Sequence, residues 1–144
     1  MLERVRASSV DDLVVVLGAH GFETDARAVV CTNWDDGPGA SLRCGLRALT
    51  PETEAAVVVL ADGPRLSPAT IDRVIATWRA GGGPIVAATY DGQRLHPVLI
   101  ERSAWAAVPD LGLRDLPVTP VPCDDLEPPG DIDTPADLGW RNPA

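Results

Sequence analysis

The run Ala55-Ala-Val-Val-Val-Leu-Ala61 is apolar at every position, and Ser67-Pro68 follows it six residues later as a capped helix start. A strand without period-two alternation leaves no face for water and must be covered on both sides. Asp12–Gly18 and Arg27–Thr32 read as strands of the same kind, Pro84–Thr89 as a fourth and Pro97–Ile100 as a short fifth. Between them lie helical periods. Gly37–Leu49 puts Leu42, Leu46 and Leu49 on one face. The helix after Ser67 aligns Ile71, Val74, Ile75 and Trp78, and Gly81-Gly82-Gly83 stops it. Leu2–Ser9 reads as a helix tail, Ser103–Val108 as a short helix, and Leu116–Cys123, broken by two prolines, as an edge strand. Two-sided strands alternating with helices predict an α/β, three-layer Rossmann-like fold with a mostly parallel sheet, one domain over residues 1–144.

In such a sheet ligands sit outside the carboxyl ends of the strands. Asp62, released at the tip of Ala55–Ala61 just before Gly63-Pro64, stands at such an end. Asp131 and Asp133 alternate along Gly130-Asp-Ile-Asp-Thr-Pro-Ala-Asp137, and Asp137 follows Thr134-Pro135 as an acidic cap. Carboxylates drawn together from two such places suit magnesium, which prefers oxygen ligands and bridges phosphates. A glycine-rich loop, Asn33-Trp-Asp-Asp-Gly-Pro-Gly39, opens a helix carrying Ser41 and Arg43 in its first turns; free amides there suit an anion or a base edge. Asp91-Gly92 is a hairpin turn, and His96, held extended by Pro97, stands either toward a substrate or in a structural hydrogen bond. His20 reads as a surface loop residue, and its glycines lack dinucleotide-fingerprint spacing.

The formal net charge is −9, which argues against nucleic-acid and anionic-membrane surfaces. All twelve basic residues are arginine, so lysine chemistry is excluded within this sequence. Cys31, Cys44 and Cys123 form no CxxC pair; they read as small buried apolar residues, without a disulfide framework, in a reducing cytoplasmic setting. No apolar run reaches the length of a membrane span, and no signal peptide is visible.

Taken in order, these segments resemble the MobA-like NTP transferases, which include molybdopterin cytidylyl- and guanylyltransferases. Val14-Val-Val-Leu-Gly-Ala19 is similar to the family's second strand, and Asn33–Gly37 with Ala40–Leu46 to its base-recognition loop and helix. Leu60-Ala-Asp-Gly-Pro64 resembles its Leu-x-Asp-Gln-Pro metal motif. Gly92-Gln-Arg-Leu-His-Pro97 resembles Gly-x-x-Gly-His-Pro, and Asp131–Asp137 the closing motif. The resemblance implies Mg2+ held by Asp62 and Asp133 with Asp131 nearby. It further implies CTP or GTP contacted by Gly37, Ser41 and Arg43, and a phosphorylated, molybdopterin-type acceptor met by His96 and Arg114. An acceptor phosphate would attack the α-phosphorus and release pyrophosphate.

Some positions depart from that pattern. Gly63 replaces a glutamine, Leu95 replaces a glycine, and Pro109–Arg114 only partly matches the Gly-Asp-x-Gly-Ala-Arg segment. The family's opening strand and Gly-rich, lysine-containing phosphate loop have no counterpart here. That strand would lie between the Leu13–Leu17 and Val57–Ala61 strands, whose edges then need each other, a homodimer partner or a complementing N-terminal segment. The competing reading is a non-catalytic nucleotide- or partner-binding remnant of the family.

Overall fold

The structure, a computed structural model, describes residues 2–18 and 24–130. A short helix, α1 (Leu2–Arg6), precedes strands β1 (Val14–Leu17) and β2 (Arg27–Val30). After a 3-10 turn at Trp34–Asp36 come α2 (Pro38–Arg47), β3 (Ala55–Val58) and α3 (Pro68–Arg79). Strands β4 (Ile85–Tyr90) and β5 (Gln93–Glu101), a 3-10 segment (Arg102–Ala107) and β6 (Thr119–Pro122) complete the order. The expected elements are present among the described residues, and the predicted turn at Thr134–Asp137 lies outside them.

The strands form two sheets. β1 and β2 pair in parallel, and the larger sheet has the order β3-β5-β4-β6. β3, β4 and β6 run one way, and β5 runs against them between β3 and β4. The short strand expected over Pro97–Ile100 is thus nine residues long and antiparallel. Its cause is the Asp91-Gly92 hairpin. Both residues have positive φ, 52° and 79°, which suits a two-residue turn whose twist matches the strands it joins. Among the described residues no ladder joins β1 to β3, so the layer divides where the family resemblance implies an additional strand.

Residue alternation along β4 shows why the strands read as apolar throughout. Val86, Ala88 and Tyr90 face a core built with Leu66, Ile71, Val74 and Ile75 of the α3 side. Ile85 and Ala87 face the opposite core with Leu46, Val98, Ile100 and Val108, against which Leu42 and Leu49 pack. These are the two covered faces of a three-layer fold. The Ser67 side chain accepts from the Ala69 amide at 3.3 Å and caps α3, with Pro68 in its first turn. α2 also packs on β1: a Cβ at Gly45 would stand 2.7 Å from Val16 Cγ2, so only glycine allows this approach.

One cysteine expectation is corrected. Cys31 and Cys44 form a disulfide, because the chain leaves β2, turns through Trp34–Asp36 and returns along α2 to a Cα–Cα distance of 5.9 Å. Cys123 is free and buried, as the sequence suggests.

Candidate functional site

Asp62 sits four residues beyond the end of β3, in a turn where the Gly63 amide donates to the Leu60 carbonyl at 3.2 Å. It lines a cavity of about 210 Å³ together with Val59, Gly63, Leu66, His96 and Gly130. Its Oδ1 is buried and, among the described residues, has no hydrogen-bond partner. A buried carboxylate oxygen without a donor is expensive unless something positive meets it. This oxygen fits one ligand position of a hard divalent cation, which commonly takes one or two carboxylates and completes its shell with phosphate oxygens and water. No group of three or more His, Cys, Asp or Glu side chains suited to a metal occurs among the described residues.

His96 reaches the same cavity through an irregularity in β5. Val98 pairs with Ala87 and Arg94 with Thr89, so Leu95, His96 and Pro97 oppose Ala88 alone. A bulge of this kind re-aims a side chain out of the ladder. Burial holds the His96 pKa below the ordinary histidine value; the nearby Asp62 carboxylate partly opposes that effect and Arg94 adds to it. His96 is therefore a neutral imidazole at pH 7, facing the carboxylate side of the cavity.

The other wall is built by Pro128–Gly130. The Arg65 amide donates to the Pro129 carbonyl at 2.9 Å, drawing this segment onto the turn after Asp62. Gly63 makes the approach feasible: a Cβ there would stand 2.9 Å from Pro129 Cβ and 3.6 Å from the Gly130 carbonyl oxygen. The described chain ends against the cavity, immediately before Asp131. Asp131 and Asp133 lie outside the described residues.

The remaining sequence-derived candidates lie elsewhere. Gly37, with φ 134°, is the N-cap of α2, and its carbonyl accepts from the amides of Ala40 and Ser41 at 3.1 and 3.5 Å. The Gly39 amide is occupied by the Asp110 carbonyl at 2.8 Å. Arg43 donates to the Val108 carbonyl at 2.7 Å and forms an ion pair with Asp110, so it fastens the 108–110 loop to α2. It borders a second depression with Arg47, Arg102 and Trp105, not the Asp62 cavity. Arg114 is exposed, and its carbonyl is held by the Arg94 guanidinium, which also donates to the Leu113 and Leu116 carbonyls at 2.7 Å each. Asp62 and His96 are thus brought together, and Gly37 and Ser41 share the start of α2. Sequence reasoning overlooked Gly130 and Pro129 as walls; the Pro-Pro-Gly before Asp131 was the available signal.

Comparison with known proteins identifies the family and the fold. The model of the MobA-like NTP transferase domain matches residues 1–117. The crystal structure of Rv0371c from Mycobacterium tuberculosis H37Rv is similar at 27% identity and TM-score 0.75, over 96% of this chain and 78% of that one. A structure of Rv0371C in complex with manganese is similar at 25% identity and TM-score 0.75, over 96% and 80%. 4-diphosphocytidyl-2C-methyl-D-erythritol synthase from Anaerococcus prevotii DSM 20548 shares the fold, with 16% identity and TM-score 0.69 over 95% and 80%. No curated protein matches. A carboxylate at the carboxyl end of β3, the bulged histidine beside it and the matched domain lead to one conclusion: this chain belongs to the MobA-like NTP transferase family, whose Rossmann-like nucleotidyltransferase fold it carries.

Proposed function

We propose that the protein is a divalent-metal-dependent, magnesium-type nucleotidyltransferase that moves NMP from CTP or GTP to a phosphorylated, molybdopterin-type acceptor with release of pyrophosphate. The observation that carries this reading is the buried, partnerless Oδ1 of Asp62 at the rim of a cavity beside His96. Asp131 and Asp133 complete the carboxylate set, since the segment leading to them already forms the cavity wall. The manganese complex of Rv0371C supports a divalent metal in this fold.

The cavity, at about 210 Å³ smaller than the roughly 300–1,000 Å³ of most small-molecule pockets, takes phosphate groups, and the nucleoside reaches beyond it to the start of α2. There Gly37 and Ser41 meet the base, and Arg43 positions them by holding the Val108–Asp110 loop against the helix start. His96, neutral and fixed in its bulge, donates to or accepts from the acceptor without adding charge. A bound cation neutralises charge on the phosphates; the protein's share is alignment of attacking and leaving oxygens. Arg114 meets the acceptor from the exposed loop.

The test is equilibrium binding of CTP and GTP with and without Mg2+ or Mn2+, alongside pyrophosphate release with molybdopterin. Asp62→Ala abolishes the metal-dependent part of nucleotide binding. Metal-dependent binding that survives this substitution refutes the assignment of Asp62.

A further inference from the structure

At the other end of the β3–β5 ladder from Asp62 lies a depression of about 380 Å³ bordered by Arg43, Arg47 and Arg102 over walls of Leu46, Leu49 and Trp105. Among the described residues no acidic side chain lines it, and of its three arginines only Arg43 pairs with a carboxylate, Asp110, in a sequence whose formal net charge is −9. Two of the three cations are held in place by the chain itself. Arg102 donates from Nε to the Thr53 carbonyl at 2.7 Å and from NH2 to the Thr50 carbonyl at 2.8 Å, and its guanidinium lies 4.3 Å from the centre of the Trp105 ring. Trp105 is itself fixed by its indole N–H, which donates to the Ile100 carbonyl at 2.9 Å. Arg43 is anchored to the Val108 carbonyl and Asp110. Arg47 contacts only the Cys44 sulfur, at 3.6 Å, and has no carboxylate partner among the described residues.

Three guanidinium groups offer about fifteen N–H donors. About a third of these are used; bonds to backbone carbonyls set the Arg43 and Arg102 forks, which lowers the ordering cost of binding there, while Arg47 keeps most of its donors open. The last turn of α2 does not repel an anion strongly, because the Gly45 and Leu46 carbonyls accept from the Ala48 and Leu49 amides. We propose that this depression is a second binding site, for a small organic anion: a phosphate monoester or carboxylate head held by Arg47 and Arg102, with an apolar body against Leu46, Leu49 and Trp105. The site is separate from the Asp62 cavity, shares only the bordering Arg43 with the proposed nucleotide site, and stands whether or not that chemistry does.

The experiment uses phenyl phosphate, benzoate and inorganic phosphate as probes. Affinities are read by calorimetry, and arginine Nε–H resonances are followed by NMR on the same protein. Phenyl phosphate shifts the Arg47 and Arg102 signals and binds more tightly than inorganic phosphate by at least about fivefold, because only the former covers the apolar wall. Arg47→Gln, an exposed change, weakens phenyl phosphate by about tenfold, whereas Arg79→Gln, a loss of equal charge at the far end of α3, leaves it unchanged. Benzoate tighter than phenyl phosphate assigns the head as carboxylate, and the reverse order as phosphate. Equal weakening by both substitutions, equal affinity for phenyl and inorganic phosphate, or unshifted Arg47 and Arg102 signals would each overturn the site.

Discussion

Gly63 offers the most direct test of how the cavity is assembled. Its backbone is one that other residues adopt, so substitution there meets only space. In Gly63→Ala the new Cβ starts 2.9 Å from Pro129 Cβ, against an optimum of about 3.5–4.0 Å for two carbons, so roughly 0.6–1 Å of separation must be found. The cheapest movement draws Pro128–Gly130 outward and lengthens the 2.9 Å bond from the Arg65 amide to the Pro129 carbonyl. Overpacking of this order costs about 1–3 kcal/mol, and the reduced freedom of the unfolded chain returns about 0.4–1 kcal/mol. The net expectation is a loss of about 1–2 kcal/mol, seen as a urea midpoint lower by about 0.5–1 M at unchanged slope. The same movement shifts the segment that leads to Asp131, so under the proposed function Mn2+-dependent nucleotide affinity falls with it. Gly63→Gln, which installs the residue common in the family, does more of both. A midpoint equal to or above that of the parent, with unchanged Mn2+ dependence, would refute the account of Gly63 as the residue that admits the Pro129 wall.

Two further outcomes are expected. The His96 imidazole titrates below the ordinary value of about 6.5, since burial opposes its charged form; the unfolded chain then binds the proton more readily, so His96 costs stability as pH falls below about 6.5 and costs none well above it. Proton NMR of the His96 ring checks this, Asp62→Asn lowers the value further by removing the opposing carboxylate, and a His96 that titrates at or above 6.5 contradicts its placement. Reduction of the Cys31–Cys44 bridge, or Cys44→Ser, lowers stability by about 3 kcal/mol for a loop of this size; parent protein melts lower in reductant while the variant is indifferent to it, and three reactive thiols in denatured, unreduced protein would show that no bridge had formed.

The layering of this fold was legible because it depends on local pattern. Strands apolar at every position require two covers, and the face Ile71, Val74, Ile75, Trp78 supplies one of them. The direction of β5 was less legible: Asp91-Gly92 announces a hairpin, but the extent of pairing comes from Gln93 and Arg94 joining Tyr90 and Thr89 across the turn. The same holds for the site. Asp62 stands out at a strand tip, whereas the part played by Arg43 depends on Val108 and Asp110, more than sixty positions away, which no local pattern reports. The Cys31–Cys44 bond likewise follows from the turn between β2 and α2 and not from cysteine spacing.

The pairing of β1 with β2 alone has a mechanical consequence. Among the described residues this leaf hydrogen-bonds to no other strand, and its attachment to the remainder runs chiefly through α2, by the Gly45–Val16 contact and the Cys31–Cys44 bridge. Amides of Val15–Leu17 should therefore exchange with solvent through a partial opening that leaves β4 and β5 intact. Whatever grips the start of α2 thus also governs how often the leaf and the helix bridged to it open together, so a nucleotide bound as proposed would slow exchange in strands it never touches.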